Sequence, residues 1–420
     1  MRTTNAFRFA FFLLLVCLAG IANAQAPVET LPAPASAPTQ QGAPRIGVVT
    51  MGPGEIFWER FGHDAIVVDD PSVGEPLSYN FGFFDMAEPG FVGRFIKGRM
   101  EYMLVALPLA QDMQYYREVG RGANIQWLNL DARQARNLAA DLRENAKPEN
   151  ARYPYNYYTD NCATRVRDAL DHVLGGRLKR QLDGRSSGDT YRSESVRLAS
   201  PSMWMWLGFD IALGPYADRP LSRWGQAFLP RRLAEDLREV STADGRPMVA
   251  SEQELLPQRQ AAEPEAEARN IWPWLFIGLM LAVAIVVFSR RAPRSLAAFG
   301  ALFWMCCSTI GLVLIYSWAF TDHRALWANR NLLLFNPLCL LLFNPLCLLL
   351  LPGAFALLRG RMPSQRFGPA LKLILIMAAF ACAPLWLQAL PQRNGPWLAL
   401  LLPIHAGFAW AWVHAARSKA

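Results

Sequence analysis

The chain has 420 residues, 52% of them hydrophobic, with 42 Lys and Arg against 34 Asp and Glu and a formal net charge of +8. That length allows two domains or one domain plus a membrane unit, and the hydrophobic share favours the second, because soluble chains of this size are more polar. The positive charge is no nucleic-acid footprint: no basic stripe is interleaved with aromatics, and many of the cations fall between apolar stretches, where cytoplasmic loops collect them.

Residues 1–24 read as a secretory signal peptide. Arg2 and Arg8 supply the positive start, Phe9 to Ile21 the apolar run, and Ala22-Asn23-Ala24 a small-x-small cleavage site. An uncleaved anchor is the competing reading, although the apolar run is short for a span; either way, the chain beyond it is exported. Residues 25–44 are rich in Ala, Pro and Gln and read as an extended linker. An exported globular domain is expected over 45–249. An acidic linker is expected over 250–270, with Glu252, Glu254, Glu263, Glu265 and Glu267, and a membrane domain over 271–420.

Within the exported domain, IGVVTMG, HDAIVVDD, LSYNFGFFD and QWLNL predict strands, being β-branched or aromatic runs set apart by turn residues. DARQARNLAADLRENA predicts a helix capped by Asp131, with Ala135, Leu138, Ala139 and Leu142 on one face. A second helix is expected from about Cys162 to Val173, stopped by Gly175-Gly176. Residues 193–239 look helical and loop-rich, with Trp204, Trp206 and Trp224 among them. The fold class expected for this domain is α+β.

The tail holds five candidate spans, at 271–288, 296–319, 332–358, 370–390 and 397–414. Arg290, Arg291 and Arg294 follow the first, Arg359, Arg361, Arg366 and Lys372 the third, and Arg417 and Lys419 the last. The alternate loops hold only Arg324, Arg330 and Arg393. That asymmetry puts the globular domain outside and the C-terminus in the cytoplasm. LLFNPLCL occurs at 333–340 and again at 341–348, which reads as a tandem duplication leaving the third span overlong, kinked at Pro337 or Pro345, or tilted.

Of seven cysteines, Cys17 leaves with the signal peptide, and Cys306, Cys307, Cys339, Cys347 and Cys382 lie in the spans. Only Cys162 falls in the exported domain, as a spare core residue, an intermolecular linker or a nucleophile. Its place at a helix start, after Thr159-Asp160-Asn161, favours the nucleophile. Free N–H groups and the helix dipole lower a thiol pKa there, and the same groups, with Asn161 supporting the helix start, would hold an oxyanion. A base must then come from His63 or His172. His172 lies ten residues down the same helix, about 15 Å along its axis, so His63 in FGHDAIVV is the choice, beside Gly62, which lets another element approach.

Asn80, on the next strand, is the first candidate to orient the imidazole. Asp69 is second because alternation puts it on the His63 face, whereas Asp64 points to the opposite face. No zinc pattern occurs, Gly52-Pro53-Gly54 is neither a P-loop nor a dinucleotide fingerprint, and no cofactor is expected. Asp322-His323, in an external loop, reads as a second polar site facing the exported domain or as a solvated pair.

FGHDAIVV, YNFGFF and YNYYTDNCATRVRDAL together resemble the exported domain of the Lnb-type bacterial lipoprotein N-acyltransferases. The tail, with TDHRALWANRNLLLFNPL between its second and third spans, resembles that family's membrane domain more loosely, and the duplicated LLFNPLCL departs from it. The His-then-Cys order also resembles permuted papain-like enzymes such as the lecithin–retinol acyltransferase group. The resemblance implies acyl transfer: Cys162, deprotonated by His63, takes an acyl chain from phospholipid and passes it to the N-terminal amine of a lipoprotein. The Trp- and Arg-rich stretch 191–230 would rest at headgroup level or bury its tryptophans. An exported Cys-His hydrolase (a cell-wall amidase or lipase) and a non-enzymatic membrane sensor are the alternatives.

Overall fold

The computed structural model describes residues 42–265, 270–337, 350–382 and 392–417. The signal peptide, all but the end of the first linker, the end of the first LLFNPLCL copy and the whole of the second lie outside these residues.

Seven strands make one antiparallel sheet: β1 (Arg45–Met51), β2 (His63–Asp69), β3 (Leu77–Phe83), β4 (Glu101–Pro108), β5 (Ala123–Leu128), β6 (Arg152–Pro154) and β7 (Val249–Leu256). Their order is β6-β4-β3-β2-β1-β5-β7. The central strands are apolar nearly throughout because the sheet is covered on both faces. On one face Ile46, Val48, Ile66 and Val68 pack with α3 (Ala132–Asn145) and α4 (Cys162–Val173). On the other, Val49, Met51, Ala65 and Val67 pack with Met113 and Tyr116 of α2 (Leu109–Val119), which comes after α1 (Phe91–Lys97).

The expected strands and both expected helices form. Asp131 caps α3, accepting from the N–H groups of Arg133 and Gln134 at 2.9 and 2.8 Å, and the predicted apolar stripe is buried. The linker expected from residue 250 begins instead as β7, whose charges suit a sheet edge: Glu252 pairs with Arg238, and Glu254 lies opposite Asn124 of β5. The remaining principal helices of the domain are α5 (Tyr191–Ala199), α6 (Met203–Ala212) and α7 (Pro230–Glu239).

The tail contains α8 (Trp272–Arg291), α9 (Pro293–Phe320), α10 (Leu350–Leu358), α11 (Phe367–Phe380) and α12 (Gly395–Arg417). Among the described residues three stretches are long and apolar enough to cross a membrane: Trp272–Arg291, Pro293–Phe320 and Gly395–His414. These three meet the first, second and fifth expected spans, while much of the third and fourth lies outside the described residues. At the fourth, the described helix is the 14-residue α11; at the third, a 3-10 turn at Arg330–Leu333 leads to Asn336-Pro337, where the described residues end. Close contact between α8 and α12 rests on small residues. A Cβ on Gly278 would lie 2.6 Å from the Ala399 carbonyl oxygen, and one on Gly407 3.0 Å from the Ala282 Cα.

Exported domain and tail meet in a buried polar joint. The last turn of α6 leaves carbonyls without helical partners, and side chains of the tail satisfy them. Asn329 Nδ2 donates to the carbonyls of Ile211 at 2.8 Å and Ala212 at 2.7 Å, while Asn331 Nδ2 donates to Ile211 at 2.9 Å. Gln392 and Asn394 then hold the two asparagine carbonyls from behind, at 2.9 and 3.1 Å. Trp397 Nε1 reaches Asp210 at 2.8 Å, and Trp206 stacks on Trp274. Of the tryptophans at 191–230, Trp204 is exposed, Trp206 sits in this joint, and Trp224 packs under the Arg167 guanidinium. Trp206 and Trp224 are half-buried, so neither is a fully enclosed core side chain.

Replacing Asn329 by leucine removes the donor to the Ala212 carbonyl and the acceptor of the Gln392 amide, leaving Ile211 with Asn331 alone. The expected loss is about 3 kcal/mol, the cost of buried acceptors left unmade. Thermal unfolding of the full chain in detergent should show the lowered midpoint, while Asn→Leu at the exposed Asn137 should cost far less.

Candidate active site

Asn161 adopts extended geometry and caps α4: its Oδ1 accepts the Thr164 N–H at 2.9 Å, and Thr164 Oγ1 accepts the Asn161 N–H at 2.7 Å. The two N–H bonds of its side-chain amide go to the carbonyls of Tyr157 and Phe228, both at 2.8 Å. Asn161 therefore builds the helix start but has no side-chain N–H left for an oxyanion. Cys162, the first residue of α4, is buried.

The strand ends beneath it are shaped by two glycines. Gly62, just before His63, has φ +78°, and a Cβ there would meet the Met51 carbonyl oxygen at 2.9 Å. Gly82 has φ +93° within the irregularity that shifts the β3–β4 register between Asn80 and Phe83, and a Cβ on it would lie 3.8 Å from that of Cys162. The helix start thus rests against the β2–β3 ends that carry His63 and Asn80. The backbone N–H groups of Asp64, Ala163 and Cys162 all act on the sulfur. The Asp64 amide, from the residue after the histidine, is a donor that no local motif announces.

His63 Nε2 is 3.0 Å from Asn80 Oδ1. Asn80 Nδ2 donates to Asp112 Oδ2 at 2.9 Å and to Ser78 Oγ at 3.2 Å, and Ser78 Oγ donates to the same Asp112 oxygen at 2.6 Å. Those bonds turn the Asn80 carbonyl toward the ring, so Nε2 carries the proton and Nδ1 keeps the free lone pair. Asn80 is the orienting residue expected from the strand pattern, whereas Asp112 and Ser78 were not foreseen. A signal existed, since Asp112 lies on the stripe made by Leu109, Met113 and Tyr116 at helical spacing, where an acid must find a buried partner.

Asp69 keeps the expected face but sits at the far end of β2, about 20 Å from His63 at strand rise, paired with Arg45. It cannot orient the ring. Asp64 points to the other face, as alternation requires, and accepts a hydrogen bond from Thr50 Oγ1 at 2.8 Å. Asp322 and His323 do face the exported domain, as a clasp. Arg99 Nε donates to Asp322 Oδ2 at 2.6 Å, the Asp322 N–H to the Lys97 carbonyl at 2.8 Å, and the His323 ring bonds the Phe95 carbonyl at 2.9 Å. Both side chains are spent on holding the turn after α1. Among the described residues no cluster of three His, Cys, Asp or Glu could hold a metal.

The electrostatics correct one expectation. The N–H groups at the helix start do pull the Cys162 thiol down, but burial outweighs them, and with the nearby Asp64 carboxyl it pushes the thiol up to about 12. Burial also lowers His63, and the charge of Arg121 adds to this, while the Asp112 carboxylate and the Asn80 bond act in the opposite direction. At neutral pH the pair rests as thiol and neutral imidazole. Phenols close round the sulfur: Tyr116, Tyr153 and Tyr155 are all raised, by burial first and by Cys162 as well.

Residues 41–197 match the family model of the Lnb N-terminal periplasmic domain. No curated protein and no solved structure matches the chain. The matched stretch holds His63, Asn80, Asp112 and Cys162, and the chain is Lnb-like over it: an exported, periplasmic-type domain followed by apolar helices.

Asp112→Asn should lower the His63 titration point further, because it removes the charge that counters burial. Ring nitrogen NMR of selectively labelled protein checks this; a rise on losing Asp112 would contradict the hydrogen-bonded geometry around the ring.

Proposed function

We propose that the chain is a membrane-bound, cysteine-dependent acyltransferase that moves an acyl chain from phospholipid to the N-terminal amine of lipoproteins, on a permuted papain-like exported domain. In the first half-reaction His63 Nδ1 takes the Cys162 proton as the sulfur attacks the ester carbonyl carbon. The C–O bond breaks, and the departing lysophospholipid alkoxide takes that proton, leaving a thioester on Cys162. In the second, the lipoprotein amine attacks the thioester carbon, the amide bond forms, and the C–S bond breaks. The amine's proton passes through His63 to the sulfur, restoring thiol and imidazole. The N–H groups of Asp64 and Ala163 would receive the oxyanion in both steps. The Asn80–Asp112–Ser78 group fixes the ring throughout and needs no proton of its own.

The observation that carries this reading is the chain from His63 Nε2 through Asn80 to Asp112, which orients the ring at the strand ends against which the Cys162 helix start packs. The surroundings support a lipid donor. Ile56, Trp58, Phe83 and Met86 are exposed on the loops beside the strand ends, and Met203 and Trp204 on α6, whose far end is bonded to the tail. Phe57 stacks on Trp204 and Phe209, joining the loop before His63 to α6. Such surface is costly in water and favoured at headgroup level. An inner-membrane position, with the C-terminus in the cytoplasm, is supported by the distribution of arginines. Because both substrates are held in the bilayer, anchoring the domain there raises their effective concentration.

The test places wild type, Cys162→Ala and His63→Ala in cells lacking other N-acylating activity and reads lipoprotein N-termini by mass spectrometry. Wild type should restore the N-acyl group, and each variant should lose it by at least about 100-fold. Unmodified N-termini with wild type would overturn the lipoprotein reading in favour of a hydrolase or a sensor.

A further inference from the structure

Asp64 has no role in the chemistry above, yet its carboxyl is placed as if it bore on that chemistry. The side chain is fully buried and lies on the face of the sheet that α4 covers, where the start of α4 packs against the end of the neighbouring strand β3. Oδ1 takes one hydrogen bond, from the neutral Thr50 hydroxyl, and among the described residues Oδ2 has no partner. No cation pairs with it among those residues. An unpaired carboxylate in such a place is expensive, so the group is kept as an acid.

We propose that Asp64 is a positioning residue that sets the charge environment of Cys162: as a neutral acid it lets negative charge develop on the sulfur, and as a carboxylate it opposes that charge. Two buried like charges in one site cannot both form cheaply. The inference rests on Cys162 being the reacting thiol, but not on what the thiol acylates. Burial, partly offset by the Thr50 bond, pushes the Asp64 carboxyl up to about 7. The acid form therefore prevails below neutrality and the carboxylate above it.

Other charges on the packed elements are engaged elsewhere. On α4, Arg165 is bound to Asp160 and lies over Tyr153, and Arg167 is bound to Asp168. On β1 and β2, Arg45 and Asp69 pair at the far end. On α7, Arg231 and Arg232 bind Glu235, and Asp236 binds Arg223. On β3, Tyr79 is raised by burial and stays neutral. His63 is on the same strand but turned to the other face with Asn80 and Asp112, and the phenols of Tyr116, Tyr153 and Tyr155 are neutral.

The test measures alkylation of Cys162 by iodoacetamide in the full chain in detergent, read on its own peptide by mass spectrometry, since the thiolate is the reacting form. Dividing the Asp64→Asn rate by the wild-type rate at each pH cancels the intrinsic pH dependence of the thiol. The ratio should be near one at pH 5.5 and rise to about tenfold at pH 8.5, as for a one-unit fall in thiol pKa on losing a charge. A ratio that is the same at both pH values overturns the proposal. Thr50→Val keeps the acid and removes the bond that favours its ionised form. Its own alkylation profile should therefore break at higher pH than wild type, and an unmoved break counts against the proposal even where Asp64→Asn fails to fold. Because no acyl donor is present, failure here is distinct from failure of the acyltransferase reading.

Discussion

Asn161 makes hydrogen bonds in three directions: to the first turn of α4, to the Tyr157 carbonyl behind it, and to the Phe228 carbonyl. Two residues beyond Phe228, Pro230 opens α7 and lies against Gly62, the residue before His63. One amide side chain thus ties the cysteine's helix start to the segment that backs the histidine's strand. Elements far apart in sequence are thereby tied to one another at the strand ends, as the proposed nucleophile and base would require. Gly62 supplies room, since a Cβ there would meet the Met51 carbonyl oxygen, and Gly82 supplies a positive φ that other residues rarely adopt.

Around that frame the site is kept neutral. A low-dielectric pocket of phenols and apolar strands favours thiol and imidazole over the ion pair. On the proposed reading, charge would appear only as a substrate carbonyl is attacked, with the N–H groups of β2 and α4 available to it. This differs from a preformed thiolate. It suits a thioester that must outlast the exchange of one lipid substrate for another, because a dry site slows attack by water. The polar joint at Asn329 and Asn331 gives the tail a share in the same frame, since it holds α6, whose aromatic side chains stack on the loop that precedes His63.

The local signals were legible in sequence. Asp131 and its apolar stripe, the Asn161 cap, the Gly175-Gly176 stop and the strand alternation that sets His63 and Asn80 on one face all arise from neighbours within a few residues. Interactions closed over long separations were not. Asp112 meets Asn80 from 32 residues away, and its only trace was an acid on an apolar stripe. Strand β7 carries charges because it is an edge, so its composition resembles a linker. The asparagines of the tail looked like loop residues because the carbonyls they satisfy belong to another element. Helix-dipole reasoning on Cys162 failed for a related reason: burial depends on everything packed round the sulfur, and a local motif carries no record of it.

The central claim is the thioester, and its most direct measurement is the mass of the Cys162 peptide after the purified chain meets phospholipid vesicles without an acceptor. A thioester mechanism predicts an acyl adduct on Cys162 that hydroxylamine removes, lost in His63→Ala and discharged when a lipopeptide amine is added. An unmodified Cys162, or an adduct on another residue, would contradict it.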